Sequence, residues 1–206
     1  AERDALDRYI TAYMSDHVDA EFPARVTGVT LSEEQHKLST ERAAQRGVTG
    51  HAEFRLLDYR NLNEKFDRIV SVGMFEHVGI GHYAEFFGKC ASLLADDGIA
   101  VLHSINRSDG PGATSAWIKK YIFPGGYIPA MSELVSALER TGWEVGDIEV
   151  LRYHYAYTLA EWYRRATMHR DEIVALYDER LFRMWQFYLA GAEQSFRHGG
   201  MVNFHI

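Results

Sequence analysis

The stretch Phe66-Asp67-Arg68-Ile69-Val70-Ser71-Val72-Gly73-Met74-Phe75-Glu76-His77-Val78-Gly79 constrains this chain more than any other. Its apolar run, Ile69 to Val72, has the length and β-branching of a strand buried on both faces. A glycine ends the run, and a carboxylate and an imidazole follow side by side. In an open α/β sheet, ligands bind beyond the carboxyl ends of the strands. Glu76 and His77 are therefore where chemistry is expected.

The flanking segments alternate in character. Leu6, Tyr9, Ile10, Tyr13, Met14 and Val18 recur at helical spacing, so residues 1–18 read as a helix, closed by Pro23. Arg25 to Leu31 is a β-branched strand. Ser32-Glu33-Glu34-Gln35 follows at once, a serine N-cap with a glutamine at the third position after it, opening a helix to about Arg46. Ala52 to Leu57 reads as a short strand with Asp58-Tyr59-Arg60 at its carboxyl end. Gly81 to Leu94 is helical in pattern and stops at Asp96-Asp97-Gly98, and Ile99 to Ser104 is an apolar strand carrying His103 near its end. Met131 to Thr141 reads as a helix and Trp143 to Tyr153 as a strand. This alternation predicts an α/β domain with a mostly parallel sheet and helices on both faces. Its parts are an N-terminal helix region (1–24), the sheet core (25–157), an aromatic helical segment (158–198) and the start of a last strand (199–206).

Composition narrows the partners. The length supports one sizeable core. A formal charge of −7 and a pI near 5.8 argue against a nucleic-acid partner. An anionic lipid surface stays open, because a local basic patch can act alone. Cys90 is the only cysteine, which excludes an intrachain disulfide and a cysteine-based zinc site and fits a reducing cytoplasm. No apolar run approaches the roughly 18 residues of a membrane span, and the first residues are too charged for a signal peptide.

Several side chains merit individual weighing. A carboxylate at a buried strand end, flanked by Met74 and Phe75, would be desolvated and either protonated or tightly hydrogen-bonded; the plainer reading of Glu76 is a capping or loop carboxylate. His77 alone reads as structural. His103, ending an otherwise apolar strand, must find a partner. Tyr155 by itself reads as a packing aromatic.

Taken together, RVTGVTLSEEQ (25–35), LLDYRNL (56–62), FDRIVSVGMFEHVG (66–79), LHSI (102–105), WIKKYIFPGGYIP (117–129), YAYTLAEW (155–162) and ERLFRMWQFYLAGAEQSFR (179–197) resemble, in order and spacing, the catalytic domain of bacterial cyclopropane-fatty-acyl-phospholipid synthases. Mycolic acid cyclopropane synthases are close relatives of that group. The resemblance covers about residues 25–206. It implies the class I S-adenosylmethionine-dependent methyltransferase fold, a Rossmann-like sheet ending in a reversed hairpin. It also implies methylene transfer to a cis double bond of an unsaturated phospholipid acyl chain, with bound bicarbonate as the base. By motif, the bicarbonate would be held by Glu76, His103, Tyr155 and the amide of Ile105. Tyr121, Phe123, Tyr127 and Trp162 are candidates for an aromatic wall around a cationic intermediate. The cofactor S-adenosylmethionine would be bordered by Thr30, Leu31, Ser32 and Gln35 on its methionine and ribose side and by Asp58 and Tyr59 at the adenine. Ser71, Val72 and Gly73 would lie beneath it, and no metal is implied.

The implied partners are membrane phospholipid with unsaturated acyl chains and the membrane surface itself, for a cytoplasmic, peripherally attached protein. Lys119, Lys120 and nearby aromatics are candidates for that contact, and assembly with like subunits stays open. The chain departs from the pattern in two places. No Gly-x-Gly turn precedes residue 28, and no upstream cysteine matches the anion site, which assigns Cys90 to packing. A sheet without its first, central strand would carry unpaired edges, which points to a fragment, to unlisted segments, or to a remnant completed by a partner. Two other readings therefore stand beside the synthase: a C-methyltransferase with a branched or small-molecule product, and a non-catalytic remnant that binds lipid or a partner.

Overall fold

The computed structural model describes residues 24–206. The helix read over residues 1–18 and its stop at Pro23 lie outside them. The chain divides into two units, residues 1–64 and 65–206.

In the first unit, β1 (Val26–Thr30) and β2 (Ala52–Leu56) pair in parallel, with Val26 opposite Ala52 and Thr30 opposite Leu56. The crossover is α1 (Glu33–Gln45). Ser32 caps it as the sequence predicts, its hydroxyl accepting from the Gln35 amide at 3.2 Å. Gly28 is required by packing: a Cβ there would stand 2.6 Å from the Phe54 ring lying across it.

The second unit contains β3 (Phe66–Val72), α2 (Tyr83–Leu93), β4 (Leu94–Arg107), α3 (Ala116–Tyr121), α4 (Met131–Arg140), β5 (Glu149–Val150), α5 (His154–Met168), α6 (Arg170–Leu176), α7 (Glu179–His198) and β6 (Met201–His205). Its sheet order is β3-β4-β6-β5, with β3 and β4 parallel and β6 antiparallel to both β4 and β5. The last strand thus inserts between its predecessors, the reversed hairpin that the resemblance implies. α5 and α7 enclose a core of Ala156, Leu159, Tyr188, Leu189 and Phe196, and Ile105 of β4 packs against it. Phe86, Phe87, Leu134 and Leu138 are buried on the α2 and α4 side.

Three sequence expectations need correction. β3 is not buried on both faces: Val70 is 48% exposed, as are its cross-strand neighbours Ile99 (56%) and Val101 (40%). Among the described residues β3 pairs only with β4, so β-branching marked a strand but not its burial. Second, β4 begins at Leu94 rather than Ile99. The pairing shifts between Phe66↔Leu94 and Arg68↔Ile99, so Asp96-Asp97-Gly98 forms a bulge inside the strand instead of a loop before it. Third, the strand expected over Trp143–Tyr153 shrinks to Glu149 and Val150, the two residues that pair with β6. Trp143 is committed elsewhere, its indole donating to the Phe87 carbonyl at 3.1 Å.

Candidate active site

The site forms where β4 outruns β3. In a parallel pair each strand supplies partners to the other's backbone. The bond from the Gly73 amide to the His103 carbonyl, 3.0 Å, lies just past the end of β3, and β4 continues to Arg107. The amide of Ile105 then faces a turn instead of a strand. Glu76 fills the place: its Oε1 accepts from the Ile105 amide at 2.7 Å.

Two local features aim Glu76 inward. Gly73 adopts φ +64°, which reverses the chain after the strand at a conformation that costs other residues about 1–2 kcal/mol. Phe75, fully buried, then pins the turn against Tyr83, Phe86 and Phe87, with ring centroids 4.4, 5.3 and 5.4 Å away. The Glu76 carbonyl also accepts from the Tyr127 amide at 2.9 Å. Burial pushes the Glu76 carboxyl above the usual range, opposed only in part by the Ile105 amide. Its second oxygen, Oε2, is buried without a hydrogen-bond partner among the described residues.

β6 completes the face. Leu102 and Ile206 exchange both backbone hydrogen bonds. By antiparallel alternation, His103–His205 and Ile105–Asn203 are then the close, non-bonded pairs, with side chains on one face of the sheet. The His103 and His205 rings meet edge to face at 4.7 Å. Burial, then His205, lowers the His103 pKa to about 4, so its imidazole is neutral at physiological pH. His103 Nδ1 and Asn203 Oδ1 are buried without hydrogen-bond partners among the described residues. Tyr155, in the first turn of α5, packs edge to face on Trp162 at 5.9 Å and on Phe196 at 5.1 Å. Burial, with Tyr188 and then Glu76 nearby, keeps its phenol protonated.

Glu76, His103, Ile105 and Tyr155 thus lie in this unit, drawn from a turn, a strand and a helix. Of the four proposed wall residues, Trp162 touches Tyr155, and Phe123 touches His77 at 5.9 Å and Tyr188 at 5.8 Å. Tyr127 sends its hydroxyl to Glu133 at 2.7 Å, and Tyr121 is 40% exposed beneath Lys120. His77 is exposed and meets Phe123 edge to face. Cys90 is buried in α2, where burial raises its thiol to about 11, as suits a packing residue. Asn203 and His205 escaped the sequence reading. Their signal was available, since polar Asn203 and His205 alternate with buried Val202 and Phe204 along β6.

The residues assigned to the cofactor fall in both units. In the first, the Ser32 amide donates to Thr30 Oγ1 at 3.1 Å, and Thr30 donates to Gln35 at 2.5 Å. The Leu57 amide donates to the Thr30 carbonyl at 3.0 Å, so the carboxyl ends of β1 and β2 are tied together. Leu31 projects there, strongly exposed. Asp58 caps the turn Tyr59–Asn61 and grips the Arg60 guanidinium at 2.6 Å, which holds its carboxyl low. In the second unit, Ser71 and Val72 end β3 and Gly73 follows them, and Ser71 Oγ is buried without a hydrogen-bond partner among the described residues.

Known proteins resemble this chain over most of its length. A probable fatty acid methyltransferase of Pseudomonas putida is 38% identical over 193 residues, 90% of this chain and 48% of that protein. The cyclopropane-fatty-acyl-phospholipid synthase of Escherichia coli K12 is 37% identical over 184 residues, 89% of this chain and 47% of that protein. The chain therefore spans about half the length of the curated relatives it matches. Among solved structures, mycolic acid cyclopropane synthase CmaA1 complexed with SAH and CTAB superposes with a TM-score of 0.86 at 28% identity, over 94% of this chain and 72% of that one. The cyclopropane synthase MmaA2 from Mycobacterium tuberculosis gives 0.85 at 27% identity, over 93% and 72%. With the family model for mycolic acid cyclopropane synthetase matching residues 12–206, the chain belongs to that family and has the methyltransferase fold.

Proposed function

We propose that this chain carries out S-adenosylmethionine-dependent methylene transfer to a cis double bond of an unsaturated acyl chain in a membrane phospholipid, closing a cyclopropane ring. The observation that carries the reading is the pair of buried, unpartnered atoms Glu76 Oε2 and His103 Nδ1, with Tyr155 alongside. Buried polar atoms left without partners call for a small ligand that satisfies them. A bicarbonate ion fits: a compact group with both hydrogen-bond acceptors and a donor. When bound, S-adenosylmethionine supplies an electrophilic methyl group and bicarbonate a base.

The chain's own residues supply position and environment. Glu76, whose protonated form burial favours, and neutral His103 can each donate one hydrogen bond without placing a full cation beside the base. The Ile105 amide is held by Glu76 and can be shared with an anion that displaces it. An alkene is a weak nucleophile, so it must be held in line and dry. The apolar cluster of Leu159, Leu189, Phe196 and Ile122 around Tyr155 excludes water. The faces of Phe123 and Trp162 suit a cation developing on the acyl chain. Among the described residues no helix is long and apolar enough to cross a membrane, so contact with lipid is taken to be at the surface.

A second reading, transfer ending in a methyl-branched chain, draws on relatives named as fatty acid methyltransferases, including one called tuberculostearic acid methyltransferase at 37% identity. Both share the first step. Incubating the intact protein with labelled S-adenosylmethionine and vesicles of unsaturated phospholipid tests the proposal. Label in the lipid with a ring product supports it, a branched or methylene product on ozonolysis and mass spectrometry supports the second reading, and unlabelled lipid rejects both.

A further inference from the structure

The segment from Gly110 to Ser132 holds no aspartate or glutamate, although the chain carries 29 of them and a net charge of −7. Its cations are Lys119 and Lys120, both exposed in the last turn of α3. Neither has a carboxylate partner among the described residues; Lys120 instead lies over the Tyr121 ring, 5.0 Å from its centroid.

An aromatic ledge runs from there onto α7. Trp117 stands 6.0 Å from Tyr121 and meets Phe187 edge to face at 5.0 Å. Phe187 is 65% exposed, a large apolar ring left in water with no place in the chemistry above. Arg180, Arg183 and Phe187 fall on one exposed line of α7, three and four residues apart. Glu179, the carboxylate that Arg183 holds, is also held by Arg170. The inner side of α3 leads to the site: Ile118 and Ile122 pack against the cluster of Leu159, Leu189 and Phe196 on which Tyr155 also rests. One short helix thus joins the exposed ledge to the buried face where an acyl chain would react.

Chemistry selects the occupant of this face. Aromatic rings beside lysines are the composition of a membrane interface, where rings sit at headgroup level and lysine stems lie on apolar surface with the ammonium outward. Protein interfaces, in contrast, are depleted in lysine. A chain of charge −7 is repelled by an anionic bilayer except where its acids are absent and its cations gather.

We propose that the outer face of α3 and the adjoining line of α7 dock on an anionic phospholipid bilayer, with Phe187 among the acyl chains and Lys119 and Lys120 at the phosphates. That the docked lipid is also the substrate rests on the function proposed above; the docking itself does not.

Co-sedimentation of the intact protein with dioleoyl vesicles tests it, comparing half phosphatidylglycerol in phosphatidylcholine with phosphatidylcholine alone. The protein should bind the anionic vesicles, less tightly as salt rises from about 0.05 to 0.5 M. Lys119→Gln and Lys120→Gln should each weaken binding about 5-fold, the loss of one cation at an anionic surface, and about 25-fold together. Phe187→Gln should weaken it about 10-fold at any salt, and Lys119→Arg with Lys120→Arg should retain it. Near-UV circular dichroism confirms that each variant is folded, as suits exposed side chains. Wild-type protein left in the supernatant at low salt, or folded Gln variants that bind as tightly as wild type, overturns the proposal. So does a Phe187→Gln protein that loses self-association in sedimentation velocity but keeps its vesicle binding, since the face is then a contact between two copies. Vesicle-bound protein that transfers no methyl group refutes the proposed function alone. Transfer to detergent-dispersed phospholipid without vesicle binding refutes the docking surface alone.

Discussion

Replacing Glu76 separates its structural bond from its chemical role. Glu76→Ala removes the acceptor of the Ile105 amide, which β3 is too short to replace. A buried N–H left unpaired costs about 1–3 kcal/mol, and the emptied volume adds to it, so a total loss near 2–4 kcal/mol is expected. Glu76→Gln keeps a carbonyl for Ile105 and removes only the ionisable oxygen, so its stability at pH 5 should match wild type within about 1 kcal/mol. The pH dependence carries a sign. A carboxyl whose folded pKa is raised contributes stability that is present below its unfolded pKa, about 4.3, and lost as pH rises through the folded value. The Gln variant therefore gains on wild type as pH rises above about 4.3. Urea unfolding at stepped pH reads both numbers, and calorimetry with S-adenosylmethionine reads cofactor affinity. Turnover by Glu76→Gln should fall at least about 100-fold, with affinity for the cofactor near normal. A Glu76→Ala protein as stable as wild type, or a Gln variant that loses affinity and turnover equally, would refute the placement of Glu76 in an anion site.

His103→Asn should lose the acid sensitivity that His103 confers. With the folded pKa near 4 against about 6.5 unfolded, the contribution is present above pH 6.5 and lost as pH falls towards 4. Wild type should therefore lose up to about 3 kcal/mol relative to the variant over that window in urea unfolding. Gly73→Ala should cost about 1–2 kcal/mol and lower turnover, because φ +64° sets the path of the turn that delivers Glu76; thermal unfolding beside the activity assay checks it. Cys90 should resist iodoacetamide at pH 8 in the folded protein and react on unfolding, as mass spectrometry would show.

Part of the candidate site stood out from local chemistry. A glycine ending a β-branched run and an imidazole ending an apolar strand are anomalies that each element carries within itself. Glu76 and His103 were singled out as candidates that way. Tyr155 was not, since an aromatic at the start of a helix reads as packing until its neighbours are known. Asn203 and His205 were missed because the significance of their alternation depends on which face of β6 is covered.

The sequence by itself determined the order of strands and helices, the serine cap of α1 and the carboxyl-end placement of Glu76, because periodicity, capping and strand length act over a few neighbouring residues. Only the tertiary structure decided that β6 inserts antiparallel between β4 and β5 and so sets His205 against His103. It also decided that β4 outlasts β3, leaving the Ile105 amide to Glu76, and that Val70 stays exposed. Register, strand-end mismatch and burial are properties of pairs of segments distant in the chain. No single segment encodes them.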